Sequence, residues 1–380
     1  MKLKLAVFFC ILTITTVLLL LIKTEGNILS AGKLASKQLD TNEKVVQKDM
    51  FQPQDGPIVL GFYTKYWKED IKSRQALEAY RSYLNSIATA NFLLRPEGKI
   101  DGVLANNGVR IASENSMFTF ATIQNEFNTE LTSQVLNNPA HRHTLTKNIV
   151  QILDENGYKG VNLDFEQMMP EDRKIYTTFL KELSSKLKPK GYELIVSVPA
   201  KTGDYPDRAW VGTFDYAAIG QIADKVQLMS YDQHGFWGEP GPVAGIDWVE
   251  NVLNYAVSRI PSEKMLIGLP AYGYDWNITT GKQTDHKAIA WKGLPELIQS
   301  TNSNPEWDNN SQSPFFSYQD KNGQQHIVWY ENEKSIALKT KLVEKYKLAG
   351  VSMWRLGLED ERFWQSVRSA IGTNKVYVRR

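Results

Sequence analysis

The sequence predicts an α/β fold of the (β/α)8 TIM-barrel class, and three observations carry that prediction. Short apolar, β-rich runs alternate with longer amphipathic stretches, as βαβ units of a parallel sheet do. The runs are eight in number, the count a closed barrel needs. The first is followed by Thr64-Lys65-Tyr66-Trp67, an aromatic turn, where a doubly wound sheet would carry a glycine-rich phosphate loop.

The elements follow in order. Lys2 and Lys4 precede an unbroken apolar run over residues 5–22, closed by Lys23. At about 1.5 Å per residue it reaches roughly 27 Å, near the thickness of a bilayer's hydrocarbon core. No small-x-small cleavage site follows Ile22, so residues 1–24 read as a signal-anchor in preference to a cleaved signal peptide. The basic flank keeps the tip inside and places the rest of the chain outside the cell membrane, anchored there or secreted. Residues 25–55 are polar and aperiodic, a tether. The barrel is expected over residues 56–372. Its strands are expected at 58–63, 87–94, 116–123, 160–165, 194–199, 226–231, 265–271 and 350–354. Amphipathic stretches such as 142–155, 173–187, 248–258 and 333–346 supply helices. Residues 277–328 break the rhythm with Asn, Ser, Gly and Pro clusters. They also hold Phe315, Phe316 and Tyr318, aromatics that require burial, so a small β-containing lobe is expected between strands seven and eight.

Composition excludes several functions. A net charge of +2 without a Lys/Arg-dense run gives no electrostatic footprint for nucleic acid. The single cysteine, Cys10, permits neither an internal disulfide nor a cysteine zinc site. His141 and His143 form a lone H-x-H beside a helical stretch and read as a solvated helix start, because a metal site needs further ligands. No metal and no cofactor is expected.

Chemistry concentrates in Gly160-Val161-Asn162-Leu163-Asp164-Phe165-Glu166. The apolar and polar positions alternate strictly, so a strand would turn Asn162, Asp164 and Glu166 to one face. In a barrel that face is the interior, with Glu166 nearest the C-terminal rim, where active sites lie. Two neighbouring carboxyls repel, which keeps a proton on one of them near neutral pH, as a general acid requires. On spacing alone, an acidic rim that binds a cation or pairs with Lys/Arg remains the alternative.

This stretch resembles the catalytic strand of glycoside hydrolase family 18, the chitinase family, with its pattern D-x-x-D-x-D-x-E. Gly61-Phe62-Tyr63, Leu228-Met229-Ser230-Tyr231-Asp232, Gly268-Leu269-Pro270-Ala271-Tyr272-Gly273 and Gly350-Val351-Ser352-Met353-Trp354 resemble the family's first, sixth, seventh and eighth strands, in order. Glu239-Pro240-Gly241-Pro242 and Trp354-Arg355-Leu356-Gly357 are similar to the bacterial branch of spore-cortex and cell-wall N-acetylglucosaminidases and deacetylase-fused hydrolase domains. The resemblance implies a retaining glycosidase acting on β-1,4-linked N-acetylglucosamine polymers, peptidoglycan or chitin-like, by substrate-assisted catalysis. It implies Glu166 as proton donor, Asp164 as the partner of the substrate's acetamido N–H, and Tyr231 as donor to the acetamido oxygen. Asn162, Phe62, Met229, Asp232, Tyr272 and Trp354 would line the sugar pocket. Two positions depart from the pattern: Lys159 and Asn162 stand where it has aspartates. Asn162 is expected to donate a hydrogen bond to Asp164 without sharing a proton, with a changed pH profile as the result. The competing reading is a lectin-like barrel that binds sugar without cutting it; the presence of Glu166 weighs against that. A barrel for phosphorylated metabolites would need a phosphate-binding glycine loop that is absent.

Overall fold

A computed structural model describes residues 56–371; the apolar run and the tether lie outside the described residues. Among the described residues no helix is long and apolar enough to cross a membrane.

The first eight strands are β1 (Ile58–Thr64), β2 (Ser86–Leu94), β3 (Ile100–Gly102), β4 (Phe118–Gln124), β5 (Gly160–Asp164), β6 (Glu193–Pro199), β7 (Lys225–Met229) and β8 (Met265–Pro270). The next five are β9 (Tyr272–Asn277), β10 (Lys287–Ala290), β11 (Glu306–Asp308), β12 (Ser313–Gln319) and β13 (Gln325–Trp329), and β14 (Gly350–Trp354) is last. Neighbouring strands run β1-β14-β8-β7-β6-β5-β4-β2, and β1 pairs with β2 to close the ring. All eight are parallel to their ring neighbours. β3 folds back antiparallel on β2. β9 to β13 form a separate antiparallel sheet in the order β10-β9-β13-β12-β11. This sheet begins at Tyr272, five residues before the composition changes, because Pro270-Ala271 ends the barrel strand and the chain turns directly into β9.

Alternation assigns each strand's two faces. Val161, Leu163 and Phe165 join the large core between barrel and helices. Phe165 stacks on Phe179 of the helix Arg173–Leu187, with centroids 6.4 Å apart. Burying each such side chain is worth about 1.5–3 kcal/mol. The 18-residue helix Pro139–Asn156 ahead of β5 starts on Asn138, whose side chain accepts from two backbone N–H groups, and stops at the left-handed Gly157. That stop delivers the chain into β5.

The interior changes character along its axis. Leu60, Phe62, Ala88, Phe120, Ile195 and Leu266 fill the lower and middle part. One step further toward the strands' C-terminal ends come Thr122, Asn162, Ser197, Gln227 and Ser352, all buried and hydrogen-bonded. A buried polar group without a partner costs about 1–3 kcal/mol, so the pairing is obligatory. The site stands on this polar collar.

Candidate active site

β5 ends at Asp164, so Asn162 and Asp164 project from the strand while Glu166 sits on the loop beyond it. The expected three-rung ladder is thus two rungs plus a loop residue. The pairing that would have continued the strand is supplied by a side chain: Glu166 N–H donates to Asn125 Oδ1 at 2.9 Å.

Asp164 is 6 % exposed, and its Oδ2 accepts from Gln124 Nε2 at 3.0 Å. Burial raises its pKa to about 6, against the lowering effect of the hydrogen bonds from Gln124 and Ser197. Glu166 is driven well above the usual carboxylate range, first by burial and then by the negative charges of Asp164 and Asp232. Near neutral pH this arrangement keeps a proton on Glu166.

Asn162 does not donate to Asp164 as expected. Its Oδ1 accepts from Thr122 at 3.2 Å, and its Nδ2 donates to Ser197 Oγ at 3.0 Å. The reason is level: Asn162 lies one rung lower, among the collar residues of β4 and β6. Ser197 then has its hydroxyl proton free for Asp164, with which it hydrogen-bonds.

Tyr231 and Asp232 lie just past β7. Burial raises the Tyr231 phenol well above its ordinary value, and the charges of Asp164, Asp232 and Glu166 add to it, so these groups share one electrostatic environment. Tyr231 can stand there because residue 268 is glycine: a Cβ at Gly268 would lie 2.7 Å from its ring. Asp232 adopts a left-handed backbone, φ 60°, and its Oδ1 accepts from Tyr272 at 2.7 Å and Tyr274 at 2.8 Å. Tyr272 packs edge-on to Tyr231, with centroids 6.4 Å apart. Trp354 ends β14 half-buried. Phe62, expected in the pocket lining, is 2 % exposed; its ring centroid lies 5.3 Å from that of Trp354, which packs against the apolar interior. Met229 closes β7 half-buried, in register with Pro199.

Four residues of the assembly were not among those expected: Gln124, Asn125, Ser197 and Tyr274. For Gln124 and Tyr274 alternation gives the inward face. Gln124 continues the inward set Phe120, Thr122 of its strand, and Tyr274 continues Tyr272 in β9.

An acid held protonated beside tyrosines at the C-terminal rim of a parallel barrel suits acid-assisted cleavage of a glycosidic bond. Residues 126–359 match the family Glycosyl hydrolases family 18, and the chain belongs to that family. It is 38% identical over 328 residues to the uncharacterized glycosylase YvbX of Bacillus subtilis, covering 82% of this chain and 95% of the relative. Among solved structures it is similar to a chitinase from Chromobacterium violaceum, with TM-score 0.78 and 31% identity over 83% of this chain and 99% of the other. It is also similar to the spore cortex-lytic enzyme SleL of Bacillus megaterium, with TM-score 0.77 and 31% identity over 84% and 75% of the two chains. The chain is a family 18 glycosidase.

Proposed function

We propose that the protein cuts β-1,4-linked polymers of N-acetylglucosamine with retention, using the substrate's own 2-acetamido group as nucleophile. Glu166 protonates the leaving oxygen. Asp164 accepts from the acetamido N–H and offsets its developing positive charge. Tyr231 donates to the acetamido oxygen and aims it at the anomeric carbon. The carbonyl oxygen bonds to the anomeric carbon as the glycosidic bond breaks, giving an oxazolinium ion. Glu166, now a carboxylate, takes a proton from water, whose oxygen opens that ring and restores the acetamido group.

The observation that carries this reading is the division of labour between the carboxyls. Burial raises both carboxyls, but hydrogen bonds from Gln124 and Ser197 limit Asp164 to about 6, while burial and two neighbouring negative charges drive Glu166 well above the carboxylate range. Peptidoglycan is the proposed polymer, supported by the spore cortex-lytic relatives, with chitin oligomers as the soluble surrogate. The proposed location is the outer side of the cell membrane, held by the apolar run of residues 5–22 or released from it.

The test is release of reducing ends from N-acetylglucosamine oligomers and from purified peptidoglycan. E166Q should be slower than wild type by about 10²–10⁴-fold; equal rates would refute the assignment. A substrate with a 2-hydroxyl in place of the 2-acetamido group should not turn over, and comparable turnover would exclude substrate assistance.

A further inference from the structure

Glu166 stands beyond the last residue of its strand, where a parallel ladder no longer holds the backbone. Both of its backbone polar groups are nevertheless held by one side chain. Asn125 Nδ2 donates to the Glu166 carbonyl at 2.7 Å, and the Glu166 N–H donates to Asn125 Oδ1 at 2.9 Å. A primary amide presents an acceptor and a donor side by side in one plane, as a peptide group does, with a second N–H to spare, so Asn125 continues the β4–β5 pairing past its end.

Asn125 is itself fixed. It is 2 % exposed, and its Nδ2 also lies 2.9 Å from Thr132 Oγ1, which donates to the Asn128 carbonyl at 2.7 Å. The need for such a hold is visible one residue on. Gln167 has φ 52°, a conformation that disfavours side chains, and its carbonyl accepts from Thr129 Oγ1 at 2.6 Å. The residue before Asn125, Gln124, donates to Asp164 Oδ2 at 3.0 Å. Two consecutive residues at the end of one strand therefore reach the two carboxyls of the next, one through a backbone and one through a side chain.

We propose that Gln124 and Asn125 are positioning residues of the reaction: Asn125 sets where the Glu166 carboxyl stands, and Gln124 holds the Asp164 carboxyl through its hydrogen bond. The inference rests on the roles given to Glu166 and Asp164 above. It assigns to Gln124 the neutral support for Asp164 that Asn162, turned toward Thr122 and Ser197, does not give.

The test compares N125A, N125D and Q124M with wild type and E166Q, measuring kcat and KM on N-acetylglucosamine oligomers across pH, together with thermal midpoints. N125A should lower kcat by about 10- to 100-fold with KM nearly unchanged, the loss expected when a reacting group is misplaced by about 1 Å. N125D keeps the acceptor for the Glu166 N–H and loses the donor, so its kcat should fall between wild type and N125A. As a near-isostere it carries the comparison if N125A does not fold. Q124M should move the acidic limb of kcat/KM upward by about half to one pH unit, because a donor favouring the carboxylate is gone. Wild-type kcat in N125D with an unmoved acidic limb in Q124M would overturn the proposal. So would activity losses that merely follow the folded fraction. An inactive E166Q beside unaffected Asn125 and Gln124 variants refutes the positioning pair alone, whereas a fully active E166Q refutes the assignment of the acid beneath it.

Discussion

The two ends of the barrel interior are built to opposite rules. At the lower end Leu60, Ala88, Phe120, Ile195 and Leu266 pack as an apolar plug, each at most 4 % exposed. At the upper end five of the eight strands present amides and hydroxyls, then comes Asp164, with Glu166, Tyr231 and Asp232 on the loops above. The first end gains stability from every residue it buries. The second crowds ionisable groups together where burial disfavours their charged forms. The contrast teaches that folding and chemistry are divided by height within one barrel, so mutations at the two ends should have opposite signatures.

The largest expected effects test that opposition directly. E166Q should abolish most of the activity yet raise the thermal midpoint at pH 7. A carboxyl whose pKa is raised by folding is disfavoured wherever the unfolded chain would ionise it. The gain should be about 2–4 °C for each kcal/mol of relief, vanishing near pH 4 where the unfolded glutamate is protonated as well. Phe120 is 4 % exposed in the plug. F120A should destabilise by about 3–5 kcal/mol in chemical denaturation, while the folded fraction keeps the wild-type pH–rate limbs. A destabilised E166Q, or limbs displaced by F120A, would break the division.

A smaller effect isolates Asp164. Its pKa rises from 3.8 to about 6 on folding, with burial as the main cause. Below about pH 3 both states carry the proton and nothing is lost. As pH rises toward 6 the unfolded aspartate ionises while the folded one resists, so stability falls through that window and then levels. The full difference is about 3 kcal/mol. D164N should therefore match wild type near pH 3 and exceed it above pH 6 by up to that amount, in urea denaturation followed at several pH values. A wild-type stability that rises with pH across this window, relative to D164N, would contradict the sign.

How much of this was legible follows from what each signal depends on. Strand count and facing were legible because period-two alternation is local: Val161, Leu163 and Phe165 pack outward and Asp164 inward as the spacing required. The end of β5 was not legible, because it is set by the neighbouring strand, where Asn125 takes over the pairing of Glu166. Phe62 was placed in the pocket by resemblance alone, which carries no burial; it is 2 % exposed, with its ring 5.3 Å from that of Trp354. Gln124, Asn125 and Ser197 escaped notice because an uncharged amide or hydroxyl acquires its role only through the carboxyl it meets across a ladder.

The smallest effect concerns the collar where the two ends meet. Asn162 donates to Ser197 Oγ at 3.0 Å, which leaves the serine proton for Asp164. An ionised aspartate at position 162 would accept that proton instead, and its charge would sit one rung below Asp164. Both changes disfavour ionisation of Asp164. N162D should thus shift the acidic limb of kcat/KM upward by about one pH unit, with little change in kcat on the plateau. S197A should give part of that shift, about half a unit, because it removes the hydroxyl without adding a charge. Equal shifts in the two variants would mean that the serine hydroxyl alone carries the effect. An unmoved limb in both would show that the collar supports the fold and leaves the chemistry above it untouched.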